Sequence, residues 1–436
     1  MQVTIIGGGL AGSEAAWQCA RHGVGVRLHE MRPTVMTPAH RTGLLAELVC
    51  SNSLKSNSID TASGLLKHEM RRLDSLVMRA ADACAVPAGD ALAVDRGLFA
   101  SAVTQALEAD SNVEVLREEV SDLDPAGITV IASGPLTSDA LSAAIASLTG
   151  EEHLYFYDAI APTVEADSVD LDRVFRASRY GKGEGAYLNC PLSRSNYDAL
   201  WEALVSAEKA PCREWEAIRF FEGCLPVEEL AARGRRTLAF GPLKPVGLVD
   251  PRTGKRPYAV VQLRQENREA TMYGIVGFQT RLKWPDQKRV FRMIPGLRNA
   301  EFVRYGAVHR NTFINSPKLL TRSLLLRAHP RVFVTGQLTG VEGYLESAAM
   351  GLLAGVSAAR LAKGEQPLEA PRETMIGALA SFLVDPSPRS FQPMNANFAL
   401  LPPIVPRIHD KWERHRRLIE RAQAAMERFT EGDGYG

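Results

Sequence analysis

Apolar positions fall first in a short run, Val3, Ile5 and Ile6, that stops at Gly7. Small residues follow through Ala11, Ala15 and Ala16, and a second apolar run covers Val24, Val26 and Leu28. This order predicts a strand, a tight turn, a helix and a parallel strand. The rhythm continues with a loop over 31–42, helices over 64–79 and 98–107, and short strands over 113–115 and 127–131. The last strand runs into Ala132, Ser133, Gly134 and Pro135, a small-residue turn that lets backbone pass close to a ligand.

From about His153 the texture changes. Apolar and aromatic residues alternate over 154–157, a helix is predicted over 196–207, and strand and turn signals fill 226–241 and 258–263. The strand–helix rhythm returns at Arg331, Val332, Phe333 and Val334, ending at Gly336, and a small-residue helix over 346–362 follows. The tail, 402–436, reads as one helix whose apolar stripe is Ile408, Trp412, His415, Ile419, Ala422, Met426 and Phe429. The predicted fold class is therefore α/β: a Rossmann-like FAD-binding domain, glutathione-reductase-like and discontinuous, with an inserted α+β domain and a helical C-terminal segment. The expected divisions are 1–155 for the first part of the FAD-binding domain, 156–329 for the insertion, 330–380 for its completion, and 381–436 for the helical segment.

The opening turn carries the first chemistry. Gly7-Gly8-Gly9-Leu10-Ala11-Gly12 is G-x-G-x-x-G between a strand and a helix, the arrangement that seats a pyrophosphate on a helix N-terminus. Glu30 ends the second strand, roughly 20 residues on, where an acid usually holds ribose hydroxyls. A domain that is interrupted and completed at Gly336 favours FAD over a compact NAD site. Flavoproteins often have Gly-Asp at that second turn. Here Gln337 follows Gly336, an amide that can still hydrogen-bond the ribityl chain but puts affinity in doubt.

Composition narrows the partners. The 436 residues carry a formal net charge of +1, so any polyanion must be met by a local patch. Candidates are Arg233, Arg235, Arg236, Lys283, Arg289 and the tail residues Arg414, Arg416, Arg417, Arg421 and Arg428. No uninterrupted apolar run is long enough to span a membrane and no basic leader precedes the first strand, so a cytoplasmic protein without membrane contact is expected. The six cysteines, Cys19, Cys50, Cys84, Cys190, Cys212 and Cys224, form no C-x-x-C pair, and no metal site is expected.

Three further segments are more specific: Val49-Cys50-Ser51-Asn52-Ser53-Leu54, Phe220-Phe221-Glu222-Gly223-Cys224-Leu225-Pro226, and Tyr344-Leu345-Glu346-Ser347-Ala348 behind Gly340-Val341-Glu342-Gly343. With Gly7 to Gly12, His29-Glu30-Met31-Arg32-Pro33, residues 245–254, Arg304-Tyr305-Gly306 and His309-Arg310-Asn311, they run nearly the whole chain. Together they resemble the TrmFO family of folate- and FAD-dependent tRNA (uracil-5-)-methyltransferases, whose wider relatives are the longer GidA (MnmG) flavoproteins. The resemblance implies methylation of a T-loop uridine in tRNA at C5. Methylenetetrahydrofolate is then the carbon donor, the flavin relays the methylene, and NADH or NADPH supplies reducing equivalents. It also implies that Cys50 and Cys224 are the functional pair. Cys224 is read as the nucleophile at uracil C6 and Cys50 as its acid/base partner. Tyr344 and His309 are candidates to stack on the folate pterin. The competing readings are the same chemistry on ribosomal RNA, a small-molecule flavin oxidoreductase, and a non-enzymatic flavin-binding RNA chaperone. The oxidoreductase would need a second nucleotide fingerprint, and the sequence has no clear one.

Overall fold

A computed structural model describes residues 2–151, 154–159, 161–179, 186–210, 225–267, 269–306, 308–386, 391–406 and 408–431; for 154–159 and 308–310 only the backbone is described. The first sheet has six strands in the order Leu325–Leu326, His329–Val334, Ile128–Ile131, Gln2–Ile6, Gly25–His29 and Val113–Leu116. Four of its pairings are parallel. Gln2–Ile6 lies at the centre, with the next strand in sequence on one side and Ile128–Ile131 on the other. The strand order therefore reverses at its carboxyl end, the place where open α/β sheets bind ligands. His329–Val334 enters this sheet from more than 190 residues beyond Ile128–Ile131, which gives the Rossmann-like sheet its discontinuous connectivity.

The helix Tyr344–Ala362 packs against Leu10–Arg21 under this sheet. Its approach is close because Gly351 and Gly355 face Ala11 and Ala15: a Cβ on Gly351 would lie 2.2 Å from the Ala11 carbonyl oxygen. By length and composition Tyr344–Ala362 is apolar enough to cross a membrane, but 83% of its apolar window is buried inside the molecule. It is the core helix of this domain.

A second apolar core, from Val164 to Ala300, lies under an antiparallel sheet in the order Phe175–Ala177, Tyr187–Leu192, Ala259–Gln265, Met272–Ile275, Thr163–Glu165 and Phe302–Arg304. The two cores are linked by a two-stranded ribbon, Leu154–Ala159 with Val308–Phe313. Thr312 N–H donates to the Pro135 carbonyl, 2.9 Å, which ties the ribbon to the small-residue turn of the first sheet.

Three readings of the periodicity need correction. The helix expected over 64–79 is two helices, Ala62–Arg72 and Leu76–Ala83. Asp74 takes a positive φ of 52°, and Ser75 restarts the helix by accepting from Met78 N–H. The strand and turn signals over 226–241 resolve into short helices, Val227–Ala232 and Thr237–Phe240. Pro226 stands at the first N-cap, with Glu228 and Glu229 in the first turn. In the tail helix Lys411–Glu431 the buried face is Leu418, Ile419, Ala422, Ala425 and Met426, whereas Trp412 is 76% exposed. The stripe holds only in the later turns, where the helix has something to pack on.

Candidate active site

The glycine turn opens onto a cavity whose empty space, open solvent included, is about 1050 Å³. Gly7, Gly9, Leu10, Ala11, Glu30, Gly336, Gln337 and Tyr344 line it, with Ser133, Gly134 and Pro135 opposite. Gly8 and Gly12 stand behind the wall. Each glycine has a geometric reason. Gly7 has φ +102°, and a Cβ there would lie 2.6 Å from the Ala132 carbonyl oxygen. A Cβ on Gly12 would fall 1.8 Å from the Gly7 carbonyl oxygen. Gly9 meets nothing within 4 Å, so its face is free for a ligand. The helix Leu10–Arg21 then presents its first N–H groups to the cavity.

Glu30 is more committed than the sequence suggests. Its Oε2 accepts from Gly8 N–H, 2.9 Å, and Arg32 Nη2, 3.0 Å; its Oε1 accepts from Arg32 N–H, 3.0 Å, and Arg32 Nε, 2.8 Å. Burial would raise its pKa, but the Arg32 hydrogen bonds and charge, with Gly8 N–H, outweigh that and hold the carboxyl below its usual range. A ribose hydroxyl has to share one of these acceptor positions. Arg32 is itself buried and also reaches Glu47, 3.2 Å. Nothing in the sequence beyond the residue types points to this cluster. Gln337 is likewise engaged: its Nε2 donates to Glu342 Oε2, 2.7 Å. A carboxylate thus stands one hydrogen bond behind the position where Asp is usual.

Cys50 sits in a turn clamped from both cores. Its N–H donates to the Tyr344 hydroxyl at 2.7 Å, and Ser51 N–H donates to the same oxygen at 3.1 Å. Arg304 Nη1 donates to the Val49 carbonyl, 2.7 Å. Arg264 donates to Asn52 Oδ1 and Ser51 Oγ, both 2.7 Å. Asn52 Nδ2 donates to the carbonyls of Val94, 3.0 Å, and Gln265, 2.9 Å. Burial, followed by the negative charge available at Cys50, raises the Tyr344 pKa, so the phenol stays protonated. Val49 and Tyr344 line the glycine-turn cavity, whereas Cys50 and Ser51 line a second one with an empty volume of about 430 Å³. The Cys50 turn is therefore the partition between two cavities.

Tyr344 was read as a stacking surface. Its hydroxyl also gathers the two N–H groups of the Cys50 turn, a positioning role beside the stacking one, since the side chain lines the glycine-turn cavity. Tyr344→Phe leaves both donors without that acceptor, at roughly 1–3 kcal/mol for each unpaired buried group. We expect kcat to fall about tenfold or more with bound flavin retained. A variant as active as the parent would remove the positioning role and leave only stacking for this side chain.

The remaining candidates fall as follows. Cys19 and Cys190 are fully buried; burial pushes the Cys19 thiol up to about 12 and raises that of Cys190 as well. Both are core residues. Cys212 and Cys224 lie outside the described residues. Val227, three positions after Cys224, donates to the Gln279 carbonyl, 2.7 Å, and Gln279 lines the second cavity. His309 lies in the ribbon, paired in register with Asp158, and its side chain is outside the described set. Many of the cations considered for RNA have partners: Arg235 with Asp198, Lys283 with Glu208, Arg289 with Asp286, and Arg416 and Arg417 with Glu413 and Glu420. Arg421 donates to the carbonyls of Pro402 and Pro403. Among the described residues no cluster of His, Cys, Asp and Glu could hold a metal.

Comparison with known proteins agrees with this architecture. The model of the GidA family, glucose inhibited division protein A, matches residues 2–366. A relative from Pelotomaculum thermopropionicum, named methylenetetrahydrofolate--tRNA-(uracil-5-)-methyltransferase TrmFO, is 60% identical over 429 residues, 98% of each chain. Proteins of the same name from Brevibacillus brevis and Geobacter sulfurreducens are each 59% identical, again over 98% of both chains. The solved structure of Aquifex aeolicus GidA superposes with a TM-score of 0.72 at 17% identity, covering 100% of this chain and 74% of its own, a likeness of fold. The chain belongs to the TrmFO family, within the wider GidA family.

Proposed function

We propose that this protein methylates C5 of the T-loop uridine in tRNA, with methylenetetrahydrofolate as carbon donor and FAD and NAD(P)H as the reducing system. The observation that carries the reading is the Cys50 turn on the partition between two cavities. A thiol placed there can act on a base in one cavity while a cofactor fills the other. The names of the relatives supply folate, tRNA and uracil C5. The glycine turn, the open face of Gly9 and a cavity lined from Gly9 to Gln337 suit a dinucleotide such as FAD. Gly9, Leu10 and Ala11 would hold its pyrophosphate, and the Gly336–Gln337 turn its ribityl chain. When bound, FAD supplies carriage of the one-carbon unit and of hydride from NAD(P)H.

The residues of the chain do the rest. Uracil C5 is a poor nucleophile until a thiolate adds to C6 and shifts the ring electron pair toward C5 and O4. Cys224 is assigned that addition. C5 then bonds the incoming carbon; Cys50 takes the C5 proton as that carbon's bond to its carrier breaks, hydride from the reducing system would complete the methyl group, and the C6–S bond breaks to release the Cys224 thiolate. Arg96, Arg264 and Arg304 share the cavity with Cys50, and neighbouring cations favour the thiolate that must accept this proton.

An exposed aromatic ladder supports an RNA partner. Trp284, 63% exposed, stacks on Tyr305 with ring centroids 5.4 Å apart and planes at 15°; Tyr305 stacks on Phe302 at 5.1 Å and 14°. Phe302 shares a strand with Arg304, which holds the Cys50 turn. The outer face of Trp284 is a platform for an unstacked base, worth roughly 1–3 kcal/mol. Trp284→Ala should weaken tRNA binding about tenfold without altering flavin content; unchanged affinity would remove the platform from the account.

Omission tests the whole reading. Uracil C5 methylation should require RNA, methylenetetrahydrofolate, FAD and NAD(P)H together. A small-molecule oxidoreductase would consume NAD(P)H at full rate without RNA or folate, and an RNA chaperone would ignore both cofactors.

A further inference from the structure

The second cavity lies between the two cores and is rich in guanidinium groups. Arg96, Arg264 and Arg304 line it, and Glu266 is the only carboxylate among its described lining residues. Glu266 meets Arg96 Nη2 at 2.6 Å and Arg264 Nη2 at 3.7 Å. Three cations face one anion in a space where Arg96 and Arg264 side chains are only 19% and 14% exposed, so solvent screens the excess weakly. Arg96 Nε and Arg304 Nε are buried N–H donors with no acceptor among the described residues. Each such group is costly while unpaired. Burial, then the charge of Arg96, lowers the pKa of Arg304 to about 10, although Glu266, Tyr344 and Cys50 oppose this. Excess positive charge with unpaired donors is relieved by an oxyanion, and guanidinium forks suit phosphate and carboxylate alike.

We propose that this cavity is an oxyanion-binding subsite that seats a phosphate or carboxylate group of a substrate beside Cys50. The proposal deepens the function given above and rests on it for the source of the group. A tRNA phosphate and the carboxylate of the folate tail present the same chemistry. Arg264 and Arg304 also hold the Cys50 turn. Occupation of the subsite is thereby coupled to the position of the thiol.

The test uses the flavin-loaded protein without RNA or folate, and inorganic phosphate as the probe. Alkylation of Cys50 by iodoacetamide is followed by peptide mass spectrometry. Phosphate should slow it saturably, and chloride at equal ionic strength should not. Glu266→Gln removes the carboxylate and should lower the half-protecting phosphate concentration at least threefold; Arg96→Gln should raise it at least threefold. Melting temperature and flavin absorbance check that each variant is folded, and if Arg96→Gln fails, Glu266→Gln still decides. Phosphate no better than chloride, or protection unchanged or weakened in Glu266→Gln, overturns the subsite. A second arm compares tRNA binding against salt with affinity for folate bearing or lacking its glutamate tail, in Arg96→Gln and the parent. A log–log salt slope reduced by about one assigns the group to an RNA phosphate. A loss confined to the tailed folate assigns it to the carboxylate. Neither change overturns the assignment to a substrate. Phosphate protection does not depend on methyl transfer, so the subsite and the proposed function fail separately.

Discussion

Cys224→Ala is expected to abolish methyl transfer to uracil C5, and Cys50→Ala to reduce it by about 10²–10⁴, the usual worth of a positioned acid or base, while both variants keep bound flavin. The two losses have different causes. Without the Cys224 thiolate the ring is never activated, so nothing downstream can proceed. Without Cys50 the ring is activated and bonded to carbon, but the C5 proton has no acceptor. The structure explains why Cys50→Ala should leave the fold intact. Its turn is held by Tyr344, Arg264, Arg304 and Asn52 through backbone and neighbouring side-chain atoms. RNA carrying 5-fluorouridine separates the roles, because a base can take hydrogen from C5 as a proton but cannot take fluorine as a cation. Cys50→Ala should still form a covalent RNA adduct and Cys224→Ala should not. An adduct formed by Cys224→Ala and lost in Cys50→Ala would exchange the two assignments.

Gly12→Ala should remove bound flavin almost completely. The added Cβ would lie 1.8 Å from the Gly7 carbonyl oxygen and 3.0 Å from its carbon, both backbone atoms of the turn that must seat the pyrophosphate. Neither can move alone: Gly7 N–H is bonded to the His29 carbonyl, 2.8 Å, and the helix backbone at neighbouring Ala11 is pressed on Gly351. Overpacking of a fixed backbone costs about 1–3 kcal/mol or more, and the turn would yield before the helix. We expect FAD affinity to fall at least a hundredfold by fluorescence titration, with a smaller loss in melting temperature. Gly9→Ala, where a Cβ meets nothing within 4 Å, should leave the apo fold unchanged and act only through the ligand. Equal melting losses in both variants would contradict this division.

What could be read in the sequence follows from how local each feature is. The strand–turn–helix at Gly7 to Gly12 and the returning strand before Gly336 are encoded by neighbours a few residues apart, and the structure places them in one sheet. The partners of Cys50 were not legible. Arg96, Arg264, Arg304 and Tyr344 come from four distant segments, and only the folded chain shows that they converge on one turn. Glu30 was legible as an acid at the right spacing. That Arg32 and Gly8 already fill its acceptor positions was not, because the motif does not record who donates. The pairing of the basic residues was illegible for the same reason. Lys283 and Arg289 are cations in any reading, but Glu208 and Asp286 neutralise them in the fold. Trp284 between them gave no periodic signal and emerged only from its stack on Tyr305.

The account stands or falls on where the folate carbon goes. Methylenetetrahydrofolate labelled with ¹³C in the methylene group, incubated with the protein, FAD, NAD(P)H and unmodified tRNA, should place the label in a methyl group at C5 of the T-loop uridine, as read by nucleoside mass spectrometry. Label absent from tRNA but present in ribosomal RNA would move the same chemistry to another substrate. NAD(P)H oxidised with no label in any RNA would contradict the account outright.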